Sequence, residues 1–146
     1  MSGRVGRLHL ATFLWLASTG AVANCSVSLG SLSFGQYDYH SSTFSTGTVS
    51  VTCASTIVFA IELSEGNGTF LDRQMRSAEN SVLSYNLFTG PDYTQIWGGQ
   101  TGPGTVTMGG TGTGQLQTYS VFGQIPAGQQ PGPGQYNDTI IVTIAW

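Results

Sequence analysis

Residues 121–146 read VFGQIPAGQQPGPGQYNDTIIVTIAW, and no other stretch constrains the fold as much. Its first half holds Pro126, Gly128, Pro131, Gly132, Pro133 and Gly134. Neither a helix nor a central strand tolerates that density of proline and glycine, so it is a hinge. Its second half alternates. Ile140, Val142, Ile144 and Trp146 fall on one face, with Thr139, Thr143 and Ala145 on the other. Period two with β-branched residues predicts a strand. Ile141 breaks the polar face, which leaves room for protein on both sides of it. Nothing in the given sequence follows this strand to cover its next edge. An apolar strand with an open edge invites pairing with another chain.

The beginning of the chain reads as an export signal. Arg4 and Arg7 precede a short apolar run, Leu8 to Ala17, and Ala21-Val22-Ala23 forms a small-residue cleavage site before Asn24. The run is too short to span a membrane. The expected division is a signal peptide over 1–23 and one domain over 24–146, enough chain for one core. A lipid-anchored Cys25 is the competing reading, and Asn24 fits it poorly.

Beyond residue 23 only Arg73 and Arg76 are basic, against seven acids, a net charge of −5, and the sequence has no Lys. Two arginines cannot track a phosphate backbone, which excludes nucleic acid as the expected partner. Cys25 and Cys53 both survive cleavage, and an exported chain with two Cys allows one disulfide. Each Cys shares a face with the apolar residues of its strand, so both sulfurs are expected to point inward. The closed loop is worth roughly 3.5 kcal/mol on the chain-entropy model. A catalytic thiol needs a His, and His40 is the only one past the signal.

Alternation also predicts strands at Cys25–Leu29, Leu32–Phe34, Thr48–Cys53, Ile57–Leu63, Leu83–Leu87 and Leu116–Phe122, with a mixed edge strand near Phe70–Arg76. Tyr37–Gly47 reads as a loop, and Gly98–Gly114, rich in Gly and Thr, as a mobile or hairpin loop. The latter has neither the Lys nor the following helix of a phosphate cradle. About seven short strands and no convincing helix predict an all-β sandwich.

The residues as a set resemble the spore coat protein U domain family, pilin-like proteins that include subunits of archaic, Csu-type chaperone–usher pili. The features that carry the resemblance are Cys25, Phe34-Gly35-Gln36-Tyr37, Val51-Thr52-Cys53, Leu83-Ser84-Tyr85-Asn86-Leu87 and Trp97-Gly98. Most specific are Val121 to Gln129 and Gly134-Gln135-Tyr136-Asn137-Asp138 leading into the last strand. The resemblance implies an incomplete immunoglobulin-like β-sandwich that lacks its final strand. It implies a periplasmic chaperone that lends a strand, an usher, and neighbouring pilin subunits that replace it, a case of strand addition. Ile140, Val142, Ile144 and Trp146 then line the acceptor groove, and the terminal carboxylate of Trp146 offers an anchor for a basic chaperone residue. Export through the periplasm to the cell surface follows. Since Cys25 is the second residue after the expected cut, the chain has no donor strand of its own to give, which points to the pilus tip or to a coat protein that does not polymerise.

Gly134, Tyr136 and Asp138 are read as a structural corner, the Tyr136 ring in the core and its hydroxyl on backbone. Asp138 falls on the nominal inward face, so it sits at the rim or a bulge resets the register. Glu62 with Glu65, or Asp72 with Glu79, have the form of a glycosidase pair, yet such acids usually make a solvated face, and Arg73 and Arg76 are expected to form surface pairs with their neighbours. No triad, metal-ligand cluster or cofactor motif is present in the sequence, so no enzyme is expected. Two alternatives to a pilus subunit remain. One is a self-contained secreted coat protein. The other is a small carbohydrate-binding module using Trp97 or Tyr93.

Overall fold

A computed structural model describes residues 3–4, 7–8 and 24–146. The signal segment expected over 1–23 therefore lies largely outside the described residues. No helix occurs among the described residues. Two antiparallel sheets face each other. The larger holds β3 (Cys25–Leu29), β6 (Thr43–Cys53), β11 (Leu116–Ile125), β9 (Val82–Phe88) and β8 (Arg73–Arg76), in that spatial order. The smaller runs β10 (Met108–Thr111), β7 (Val58–Leu63) and β12 (Val142–Ala145). Between β3 and β6 lie two short strands, β4 (Leu32–Ser33) and β5 (Gln36–Tyr37). They pair antiparallel with β2 (Arg7–Leu8) and β1 (Gly3–Arg4), respectively.

The two sheets bury one core. Val49, Val51, Leu83, Leu87 and Val121 face it from the larger sheet, and Phe59, Ile61, Leu63, Val142 and Ile144 from the smaller. These are the inward sets that period-two alternation assigns. Cys25 and Cys53 are directly opposite in the β3–β6 register and form a disulfide within this cluster.

Three expectations need correction. Tyr37–Gly47 is not all loop. β6 already begins at Thr43, because Thr43–Gly47 finds ladder partners in Val121–Ile125. Phe44 points outward and its neighbours are Ser and Thr, so no apolar alternation marks this part. The Gly98–Gly114 segment contains a strand, β10, pairing with β7 from Met108↔Ile61 to Thr111↔Val58. A side chain at Gly109 would lie 2.3 Å from the Phe59 carbonyl oxygen, so close backbone approach requires glycine there. The final strand opens as β12 only at Val142. Residues 136–141 approach it in extended form, with Asn137 bridging to Arg76.

The disulfide ties the first edge strand to the strand next to it across 28 residues of sequence. Cys53→Ala is expected to cost about 2–5 kcal/mol in urea unfolding under oxidising conditions. Unchanged stability would mean that β3 is held by its ladder alone.

Candidate functional site

The hinge before the last strand is fixed from three sides. The Tyr37 hydroxyl donates to the Pro126 carbonyl at 2.9 Å and accepts from the Gln129 N–H at 3.0 Å. The Gln129 side chain clamps the backbone of Ser84, accepting from its N–H and donating to its carbonyl. Tyr136 is fully buried, and its hydroxyl donates to the Gly132 carbonyl four residues upstream. Gly134, between them, has φ of 141°, a value that favours glycine. The hinge thus has one path into the core.

From Tyr136 the chain keeps strict alternation. Tyr136, Asp138, Ile140, Val142 and Ile144 are all buried. Asp138 does point inward: it is 3% exposed. Its carboxylate accepts from the Tyr85 hydroxyl at 2.6 Å, the Asn67 N–H at 3.1 Å and its neighbour Thr139 N–H at 2.8 Å. Burial raises the Asp138 carboxyl above its ordinary range, while these hydrogen bonds and the field of Arg73 pull the other way. Tyr85 is pushed far up by burial and by the Asp138 carboxylate.

Arg73 lies in the same cluster and overturns the surface-pair expectation. It is fully buried. Its Nε donates to the Ser64 carbonyl at 2.9 Å. Nη1 donates to Asn86 Oδ1 at 2.7 Å, and Nη2 to the carbonyls of Trp97 at 2.7 Å and Leu63 at 3.3 Å. Burial lowers its guanidinium to about 10, partly offset by Tyr85, Asp138 and Glu65. Asn86 in turn donates to the Phe70 carbonyl. The signal for this cluster was present: Arg73 and Met75 share one face of β8, and Met75 is apolar and fully buried.

The acceptor candidates divide. β12 pairs with β7 from Val142↔Leu63 to Ala145↔Ala60; just beyond, the Ser64 N–H donates to the Ile141 carbonyl and the Ile141 N–H donates to Ser64 Oγ. The other edge of β12 carries no ladder among the described residues. Ile140, Val142 and Ile144 point into the core, but Trp146 lies beyond the strand and is 47% exposed. Ile141 is exposed as well, so among the described residues nothing covers the second face there.

Trp97 cannot stack on a ligand. It is fully buried and its Nε1 donates to the Ile61 carbonyl at 2.9 Å. Tyr93 packs with Phe44, Phe88 and Phe122 on the outer side of the larger sheet. A cavity of about 410 Å³ opens where β7 ends and the last strand begins, lined by Ser64, Glu65, Asn67, Asn137, Thr139 and Ile141, with Asp138 at its wall. Of the four acids weighed as carboxylate pairs, only Glu65 lines it. Among the described residues no group of three or more His, Cys, Asp or Glu could hold a metal ion.

Two antiparallel sheets around one core, with one disulfide inside the larger sheet and, among the described residues, no ladder on the outer edge of the last strand, define an incomplete immunoglobulin-like sandwich of the pilin type. The chain belongs to the Spore Coat Protein U domain family, whose model matches residues 11–143. It is 30% identical over 134 residues to Protein U of Myxococcus xanthus, covering 80% of this chain and 72% of that protein. In fold it is similar, at a TM-score of 0.63 and 18% identity, to a chain in the crystal structure of the CsuC–CsuE chaperone–tip adhesion subunit pre-assembly complex from archaic chaperone–usher Csu pili of Acinetobacter baumannii. The match covers 84% of this chain and 39% of that one.

Two substitutions test the cluster. Arg73→Met strands several buried acceptors and is expected to lose on the order of 3 kcal/mol or more in urea unfolding; a loss near zero would mean that water satisfies those carbonyls. Asp138 has a raised folded pKa, so its contribution to stability is full below about pH 4 and is lost as pH rises through the folded value. Asp138→Asn stays neutral throughout. Its stability relative to the unsubstituted chain should therefore improve between acid and neutral pH, and a flat difference across that window removes Asp138 as the titrating group.

Proposed function

We propose that the chain is a structural or adhesive subunit of a surface fibre assembled by the chaperone–usher route, and that its last edge accepts a strand from a partner. The observation that carries this reading is the one-sided pairing of β12. Among the described residues it forms a ladder with β7 only, while the inward residues Ile140, Val142 and Ile144 belong to the core. A strand added beside β12 extends the three described strands of the smaller sheet to four and gives the outer edge of β12 a ladder. The short strands β4 and β5 support the reading from the other side. Their ladder partners among the described residues are β2 and β1, which lie within the segment expected to be removed on export. With that segment gone, the Leu32–Tyr37 edge also needs a partner.

The partners of this reading are a periplasmic chaperone, then an usher and a neighbouring subunit, and the destination is the cell surface. Tip placement rests on cleavage after Ala23, which leaves only Asn24 ahead of Cys25 and no strand to donate. Net charge over 24–146 is −5, so a chaperone with a basic face complements the chain.

One observation favours a second reading, a self-contained coat protein: the relative matched over most of the chain is Protein U, of the family named for the spore coat. Urea unfolding of residues 24–146 with the disulfide formed separates the two. The pilus reading expects aggregation or a weak transition, sharpened by adding a donor peptide with alternating apolar residues. A soluble monomer with one cooperative transition that the peptide leaves unchanged would favour the coat protein.

A further inference from the structure

Asn67-Gly68 occupies the turn between β7 and β8, at the mouth of the polar cavity. Its surroundings differ from those of the other four asparagines, Asn24, Asn80, Asn86 and Asn137. Asn67 is exposed, and its side-chain amide makes no hydrogen bond among the described residues. Its backbone N–H is held by Asp138 at 3.1 Å, which anchors the residue from its N-terminal side. The next residue has no side chain to shield its backbone nitrogen, and none can be accommodated: a Cβ at Gly68 would lie 2.1 Å from the Asp72 carbonyl oxygen. Packing therefore fixes glycine directly after an uncommitted carboxamide. Asn86 is the opposite case, buried and bonded to Arg73, Phe70 and Leu87. Asn137 is followed by the side chain of Asp138, itself locked by Tyr85.

We infer that Asn67 is a site of spontaneous deamidation in the folded protein, a covalent modification that ages the turn next to the last strand. The Gly68 backbone nitrogen gives up its proton to solvent and attacks Asn67 Cγ. A C–N bond forms, the carboxamide C–N bond breaks, and ammonia leaves with a proton from water, closing a five-membered imide. Water then adds to either imide carbonyl and opens the ring to an aspartyl or isoaspartyl residue. The net change is amide plus water to carboxylate plus ammonium, with no oxidation or reduction. Glycine favours the cyclisation because it offers the least steric hindrance and the widest backbone freedom, and asparagine is among the thermally labile side chains.

The product alters this place in two ways. It adds a negative charge beside Glu65 and Asp138 on a cavity that no cation lines. In the isoaspartyl form it also lengthens the main chain by one methylene just before the Thr69–Asp72 turn, whose two backbone hydrogen bonds of 3.0 and 3.2 Å set the approach to β8 and Arg73.

The test is timed incubation of the exported, disulfide-bonded chain at neutral to mildly alkaline pH, followed by peptide mass mapping and enzymatic isoaspartate labelling. The expected result is amide-to-acid conversion at position 67 well before any other asparagine, together with a more acidic species on native isoelectric focusing. Asn67→Gln should abolish that species over the same period while keeping the unfolding transition of the original chain. The inference is overturned if position 67 keeps its amide in the folded chain, if Asn137 reacts as fast, or if Asn67→Gln yields the acidic species at an unchanged rate.

Discussion

A single buried guanidinium holds the two sheets together at the end where the last strand enters. Arg73 leaves β8 of the larger sheet and donates to the carbonyls of Leu63 and Ser64, at the end of β7 in the smaller one. It also fixes Trp97 and Asn86. A buried charge is costly unless every donor has a partner and a counter-charge lies within reach. Here four carbonyl-type acceptors serve the donors, and Asp138 supplies the field without a direct ion pair. Tyr85 joins the two halves, with its hydroxyl on Asp138. The cluster therefore depends on Asp138 entering the core, which depends on the Tyr136 corner and the hinge before it.

That dependence links the core to the proposed assembly edge. The residues which bury Asp138 are continuous with those that place Ile140, Val142 and Ile144. The strand is held in register by its own chain before any partner arrives. On the proposed reading, a partner strand adds backbone hydrogen bonds and side-chain contacts to a preformed edge and does not need to order it.

How much of this was legible follows from what alternation can report. Cys25–Leu29, Val58–Leu63 and Val82–Phe88 carry apolar side chains at every second position, and the structure places strands there. The same rule put Asp138 inward, against its charge. Alternation is silent where side chains are missing or neutral, which hid Met108–Thr111 behind its glycines and Thr43–Gly47 behind Ser and Thr. Charge misled at Arg73, since the ordinary preference of arginine for water outweighed the evidence of Met75 two residues on. The carbonyls that bind it belong to residues 63, 64 and 97, and no local pattern can show that they converge. Trp97 misled for a similar reason: its burial comes from packing across the sheets.

The scarcity of cations also governs how proteases meet this chain. From residue 24 onward a trypsin-like enzyme finds no lysine and only two arginines. One is sealed between the sheets. The other, Arg76, has an exposed side chain, but its backbone N–H and carbonyl are both bonded to Asn137 and it sits in a strand. A protease needs an extended, released segment to thread its cleft, so cutting at either position requires β8 to peel from the sheet. Such a surface suits the cell-surface destination proposed for this chain.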